Sequence, residues 1–237
     1  MTKLSVNINK IATIRNARGA ETPSVTEAAI KIQEFGGQGI TIHPRPDERH
    51  ITRKDVYDLK PLVYTEFNIE GNPHRPFIDM VLEVKPEQVT LVPDADDAIT
   101  SNAGWDCEKN LDFLKSVIAE FKNAGIRTSI FLDPKPAMVK FAAETGTDRI
   151  ELYTEAYAKN YETDKEAAIK PYYETALEAA KYGLGINAGH DLSLDNIKFF
   201  KENIPNLLEV SIGHALISEA LYFGLDNTVN MYLSKLK

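Results

Sequence analysis

A chain of 237 residues with 43% hydrophobic side chains can bury one large core, and a mean hydropathy of −0.29 without any apolar run near ~18 residues argues against a membrane-spanning protein. The formal net charge of −8 argues against a general nucleic-acid binder, which gathers Lys and Arg into a patch that releases counterions. The single cysteine, Cys107, has no partner for an intramolecular disulfide and reads as a small semi-buried hydrophobe in a reducing cytoplasm.

The chain opens on a strand, residues 4–8 (Leu-Ser-Val-Asn-Ile), reached directly from Met1 with no secretory apolar region. The polar stretch 10–19 that follows reads as a loop. Ser24 and Glu27 form a capping box for a helix ended by Gly36-Gly37. The second strand is the most informative stretch: Gly39-Ile-Thr-Ile stops at His43-Pro-Arg45-Pro-Asp-Glu-Arg49-His50, because Pro44 and Pro46 cannot donate ladder hydrogen bonds. A helix over residues 52–59 precedes a third strand over 62–70 that ends in Glu70, and Pro73 suits the first turn of the next helix.

Residues 88–92 give the fourth strand, and the long, polar, small-residued segment from Asp94 to Gly104 is expected to act as a lid. A helix around 111–121 leads to a fifth strand at 128–132, and Asp133-Pro134 starts a helix that runs to Gly146. The sixth strand, 149–152, carries Glu151. Thr163 and Glu166 form another capping box, and Pro171 should kink or divide the helix behind it. The seventh strand, 185–190, ends in Asn187-Ala-Gly-His190. Helix 193–202 and an eighth strand, 207–212, run into Gly213-His214 and a closing helical region.

Eight strands alternating with helices, without a linker or composition break, predict one (β/α)8 TIM barrel over residues 1–237, with an open doubly wound sheet as the competing arrangement. The open sheet lacks support, since no Gly-x-Gly-x-x-Gly follows the first strand. In such barrels chemistry sits at the C-terminal ends of strands. His43, His50, His190 and His214 fall there, with Asn7, Arg18, Arg45, Glu70, Glu151 and Asn187, whereas His74 starts a helix. A metal site is not expected, because His43 and His50 lack compact ligand spacing and Arg45 would repel a cation. No nucleophile elbow is present, and Lys10 is the one lysine just past a strand end. Histidines and glutamates suited to proton transfer remain, together with Arg18, Arg45, Arg49 and His50 for an anionic ligand and a helix start at Gly213-His214 for phosphate.

Residues 6–8 (Val-Asn-Ile), 11–19 (Ile-Ala-Thr-Ile-Arg-Asn-Ala-Arg-Gly), 39–43, 49–51, 187–190 and 212–215 resemble the signatures of the pyridoxine 5′-phosphate synthase family. The resemblance implies a cytoplasmic barrel enzyme of vitamin B6 biosynthesis, a homo-octamer without metal or organic cofactor. It would condense 3-amino-2-oxopropyl phosphate with 1-deoxy-D-xylulose 5-phosphate, releasing inorganic phosphate and water. By the same resemblance His43 and Glu70 would accept protons, His190 would donate one, and Glu151 would stabilise a transition state. Asn7, Arg18, Gly213 and His214 would hold the aminoketone phosphate, and Arg45, His50 and Thr100 the deoxyxylulose phosphate. The chain departs from the pattern at Asn9-Lys10, where Asp-His is familiar, and at Asp191, where glycine is familiar. Those three positions are substrate-binding candidates by side chain or backbone, and Lys10 and Asp191 are expected to approach and compensate one another. The alternatives are a phosphosugar isomerase or aldolase on the same barrel, or a non-catalytic phosphosugar-binding barrel.

Overall fold

The computed structural model describes residues 1–94 and 103–237. Eight parallel strands close into a barrel in chain order: β1 (Lys3–Asn7), β2 (Gly39–Ile42), β3 (Glu66–Gly71), β4 (Gln88–Leu91), β5 (Arg127–Leu132), β6 (Arg149–Tyr153), β7 (Gly185–Gly189) and β8 (Leu207–Ile212). Closure pairs β1 with β8, placing Leu4 opposite Val210 and Val6 opposite Ile212, which excludes the open sheet. The outer layer among the described residues is α1 (Asn9–Asn16), α2 (Val25–Glu34), α3 (Arg53–Leu59), α4 (Arg75–Val84), α5 (Leu111–Asn123), α6 (Pro136–Glu144), α7 (Glu155–Asn160), α8 (Lys165–Lys181), α9 (Ile197–Asn203), α10 (His214–Phe223) and α11 (Leu225–Lys235).

Parallel strands buried on both faces are usually apolar throughout. These alternate instead. Leu4, Val6, Ile40, Ile42, Phe67, Ile69, Ile150 and Leu152 are fully buried and form the face under the helices. Ser5, Thr41, Asn68, Thr90, Ser129, Glu151 and Asn187 are equally buried on the opposite face, which in a closed barrel is the interior. Hydrogen bonds make most of that burial tolerable, while Ser129 Oγ and Glu151 Oε2 have no partner among the described residues. Ser5 Oγ lies 2.7 Å from Thr41 Oγ1, Asn68 Nδ2 donates to Thr41 Oγ1 at 3.4 Å, and Thr90 Oγ1 donates to Asn68 Oδ1 at 3.1 Å. At the barrel floor Glu66 pairs with Lys3 and with Arg127 (2.6 Å), Arg127 donates to Gln88 Oε1 (2.9 Å), and Arg149 donates to Asn187 Oδ1 (3.1 Å).

Several local expectations need correction. Residues 9–16 are the helix α1, because Ala12 and Arg15 share its buried face and Arg15 is made burial-competent by a carboxylate. The third strand begins at Glu66, since Leu62 and Val63 close a turn onto the Leu59 carbonyl, and Gln33 Oε1 accepts the Tyr64 and Thr65 N–H groups. α4 is capped by His74, whose Nδ1 accepts the Phe77 N–H, and its first-turn proline is Pro76 rather than Pro73. α6 starts at Pro136 and α9 at Ile197, each a few residues later than expected, and α7 was not expected at all. Asp164, not Thr163, caps α8, and Pro171 sits inside that continuous helix without dividing it.

The connection between α1 and α3 rests on one buried pair. Arg15 donates two hydrogen bonds to Asp55 (2.5 and 2.8 Å), and Asp55 also closes the capping box with Thr52. Removing one member strands the other's charge, so Asp55→Ala should cost about 3–5 kcal/mol of unfolding free energy in urea denaturation. A loss under about 1 kcal/mol would mean that the pair is no more than a surface contact.

Candidate active site

At the mouth of the barrel, β2 ends and the chain turns outward at His43. The backbone N–H of His43 donates to Asn9 Oδ1 (2.9 Å), and the Asn9 N–H in turn donates to Asn7 Oδ1 (3.0 Å). Asn7 Nδ2 reaches Glu70 Oε2 at 3.5 Å, a long contact that links β1 to the end of β3. Asn9 therefore works through backbone geometry. An aspartate there would offer the same acceptor, so this departure preserves the scaffold of His43.

His50 is seated by the helices around it. Its Nδ1 accepts the Ile51 N–H (2.9 Å), which leaves Nε2 as the ring nitrogen that carries hydrogen in the neutral form. Its carbonyl accepts from Asn16 Nδ2 (2.8 Å) and Arg15 Nη2 (3.2 Å). The rings of His43 and His50 lie with centres 6.3 Å apart. Arg45, buried beside them, donates to Asp94 Oδ2 (2.5 Å) with only 5% and 4% of the two side chains exposed. Asp94 was not anticipated; its place just past the fourth strand was the available signal.

Burial followed by the positive charges of Arg45, His50 and Arg49 pushes His43 well below the ordinary imidazole value of 6.5. Burial, then Arg45, Lys10 and Arg49, pushes His50 down to about 4. The carboxyls move the other way. Burial and the neighbouring Glu209 raise Glu151 to about 8, and the Thr90 hydroxyl opposes that rise. Glu70 is raised well above 4.5 by burial and by Glu151, Asp94 and Glu209, with Arg45 pulling against them. Glu209, on β8, rises to about 7 through burial and then Glu66, opposed by Arg149 and Arg127. Burial and neighbouring charges thus keep His43 and His50 neutral further into the acid range and raise the proton affinity of Glu70 and Glu151, with Glu151 favouring its protonated form at neutral pH.

Glu151 Oε2 is buried with no hydrogen-bond partner among the described residues. The neighbouring strand is correspondingly tight: a Cβ on Gly189 would lie 2.3 Å from the Ser211 carbonyl oxygen and 3.2 Å from Glu151 Oε1. His190 follows in the left-handed region, at φ 79°. Its Nδ1 lies 2.8 Å from Asp191 Oδ2, and its ring stands edge-on to Tyr153 with centres 5.6 Å apart. Asp191 is engaged by His190, Lys10 sits exposed on α1, and no direct Lys10–Asp191 ion pair is present among the described residues.

Gly213 caps α10 without any side-chain cap bond, which leaves the first N–H groups of the helix available to an anion. A Cβ on Gly213 would come within 3.1 Å of Asn7 Cβ, so the two phosphate-binding candidates pack together. His214 is exposed in the first turn of α10, and Arg18 is exposed just past α1. Thr100 and most of the expected lid lie outside the described residues. No three His, Cys, Asp or Glu side chains converge as a metal-ligand set among the described residues.

A (β/α)8 barrel with open helix amides and shifted acid–base groups at the same mouth defines an enzyme-like site for phosphorylated ligands. Comparison with known proteins is more specific. The family model described as pyridoxal phosphate biosynthesis protein PdxJ matches residues 4–237. Proteins named pyridoxine 5′-phosphate synthase are 69% identical in Flavobacterium johnsoniae, 66% in Christiangramia forsetii and 60% in Bacteroides thetaiotaomicron, each match covering 100% of both chains. The chain belongs to the pyridoxine 5′-phosphate synthase family. Solved barrels share the fold at far lower identity. Phosphoribosylanthranilate isomerase from Thermotoga maritima superposes with a TM-score of 0.62 at 12% identity, covering 100% of this chain and 98% of that one. Tryptophan synthase from M. tuberculosis gives 0.67 at 10%, covering 100% and 94%.

Two measurements check these electrostatics. Nuclear magnetic resonance should show His50 neutral down to about pH 4, and a midpoint near 6.5 would contradict its seat. Glu151, raised from 4.5 to about 8, contributes stability that is present below 4.5 and is lost as pH rises through about 8. Melting temperatures of Glu151→Gln relative to the parent should therefore climb from pH 5 to pH 9. A constant difference would show that Glu151 ionises normally.

Proposed function

We propose that this chain forms pyridoxine 5′-phosphate by condensing 3-amino-2-oxopropyl phosphate with 1-deoxy-D-xylulose 5-phosphate, releasing inorganic phosphate and water. The observation that carries this reading is the full-length likeness to enzymes of that name. The acid–base set at the barrel mouth supports it.

Joining an amine to a ketone, losing water and closing a ring needs protons taken and returned at neighbouring atoms, each positioned transfer contributing about 10²–10⁴-fold. His43 is kept neutral by burial and by adjacent cations, so its lone pair can accept a proton at neutral pH. Glu70 has a raised proton affinity, which makes its ionised form a stronger base than an exposed carboxylate. Glu151 carries a proton near neutrality, so it adds no negative charge against a doubly phosphorylated pair of substrates. Its unpartnered Oε2 can serve a developing oxyanion with a hydrogen bond. His190, just past β7 and beside the strand that carries Glu151, would supply a proton.

The α10 amides with Gly213 and His214, together with Asn7 and Arg18, would bind the aminoketone phosphate. Arg45, His50 and Thr100 would bind the deoxyxylulose phosphate. Assembly as a homo-octamer would cover apolar surface such as Leu221 and Tyr222 on α10, which are 72% and 86% exposed.

The test is incubation with both phosphorylated substrates while following inorganic phosphate and pyridine absorbance. An isomerase or aldolase would consume one substrate alone, and a binding barrel neither. Glu70→Gln, nearly isosteric, should lower turnover by about 10²–10⁴-fold while circular dichroism and melting temperature stay close to the parent. Parent-like turnover would remove Glu70 from the proton-transfer role.

A further inference from the structure

Hydrogen bonds from three other elements of the chain fix the turn that carries His190. The His190 N–H donates to the Ser211 carbonyl (3.3 Å), the Asp191 N–H to Thr154 Oγ1 (3.2 Å), and Asn196 Nδ2 reaches the Asp191 carbonyl at 3.5 Å. Thr154, fully buried, donates its hydroxyl to the Gly189 carbonyl on the other side of the histidine. The backbone of His190 is thereby held in the left-handed region, where a non-glycine residue resides only under such constraint. The ring is wedged edge-on against Tyr153, whose hydroxyl donates to Glu155 Oε2 (2.9 Å). Asp191 Oδ2 stands 2.8 Å from Nδ1 of the imidazole.

We propose that Asp191 is a positioning residue for proton transfer by His190: its carboxylate holds hydrogen on Nδ1, so that Nε2 is the nitrogen that exchanges a proton with substrate. This rests on the function proposed above. Imidazole catalysis depends on which nitrogen is occupied, and a carboxylate accepting from one nitrogen sets the tautomer and steadies the cation on the other. In the step itself Nε2 of the Nδ1–H imidazole first takes a proton from substrate or solvent. The Nε2–H bond of the resulting imidazolium then breaks, the proton passes to a substrate oxygen, the electron pair stays on Nε2, and the neutral Nδ1–H form is restored with Nδ1 keeping its hydrogen against Asp191 throughout.

The contact also explains how an extra carboxylate is tolerated beside a phosphate site. Its charge is directed at the imidazole one residue away, not at the anion. Aspartate is not isolated there: Tyr153, Glu155, Lys159, which pairs Glu155 at 2.6 Å, and Tyr172 lie within electrostatic reach of the turn, and His190 also faces His43.

The experiment compares the parent with Asp191→Asn, which keeps size and an acceptor oxygen but removes the charge. Full-length protein is assayed with both phosphorylated substrates, and imidazole ¹⁵N spectra are recorded, with His190 assigned through its absence in His190→Gln. In the parent, His190 should show the Nδ1–H tautomer. Asp191→Asn should lower kcat by about 10- to 100-fold with KM within about 2-fold, and should mix the two tautomers. Asp191→Glu should recover part of kcat. Parent-like kcat in Asp191→Asn overturns the inference, as does an Nε2–H tautomer in the parent, and a change confined to KM would make Asp191 a substrate contact instead. Because the spectra need no turnover, they judge the Asp191–His190 arrangement even if the parent produces no pyridoxine 5′-phosphate, an outcome that would refute the proposed function.

Discussion

The rest of the structure depends on the polarity of the barrel interior. In most parallel barrels branched apolar side chains fill the centre in layers, and the strands read as apolar throughout. Here many of the residues turned inward carry hydroxyl, amide, carboxyl or cationic groups, so the interior is stabilised by hydrogen bonds between strands as well as by packing. Such a network has little tolerance for gaps, because an unpaired buried polar group costs about 1–3 kcal/mol. It also supplies a low-dielectric column in which carboxyls influence one another over several layers. Glu66 at the floor is held ionised by Lys3 and Arg127 despite its burial, at about 2. Above it Glu209 and Glu151, with weaker or no cationic partners, are driven toward protonation, and Glu70 at the mouth feels both. The acid–base character of the mouth is in part a consequence of what fills the barrel below it.

Much of this was legible in the chain. The eight strand–helix alternations, the proline-stopped strand at His43, the capping residue Ser24 and the helix ending at Leu59 each carry a local physical signal, and each appears as expected. α1 was missed because its buried face includes Arg15, a charged residue that periodicity counts as solvent-facing. Only the carboxylate of Asp55, forty residues later, makes that position a core position. The late start of β3 has a similar origin. Residues 62–65 look like strand, but Gln33 takes up their N–H groups from a different helix before a neighbouring strand can. Side-chain partners distant in sequence decide both cases, and no local pattern reports them.

The site shows the same division. That histidines and glutamates gather at strand ends follows from the chain order and the barrel. That His43 is neutral, that Glu151 is protonated near neutrality, and that Arg45 faces Asp94 all depend on burial and on charges brought in by other strands. The contact of Asp191 with His190 was not legible either, because it depends on the left-handed backbone of His190 and not on the residue types alone.

The two departures from the family pattern are resolved by different physics. At Asn9 the requirement is an acceptor oxygen for the His43 N–H, which an amide oxygen meets as well as a carboxylate does, so loss of charge changes little in the scaffold. At Asp191 a charge is added where the anionic substrates would sit, and bare repulsion would weaken their binding. The left-handed turn at His190 brings the carboxylate against the imidazole, so the charge faces a ring nitrogen 2.8 Å away. A substitution that looks costly for phosphate binding becomes, through that one backbone angle, a constraint on the His190 ring.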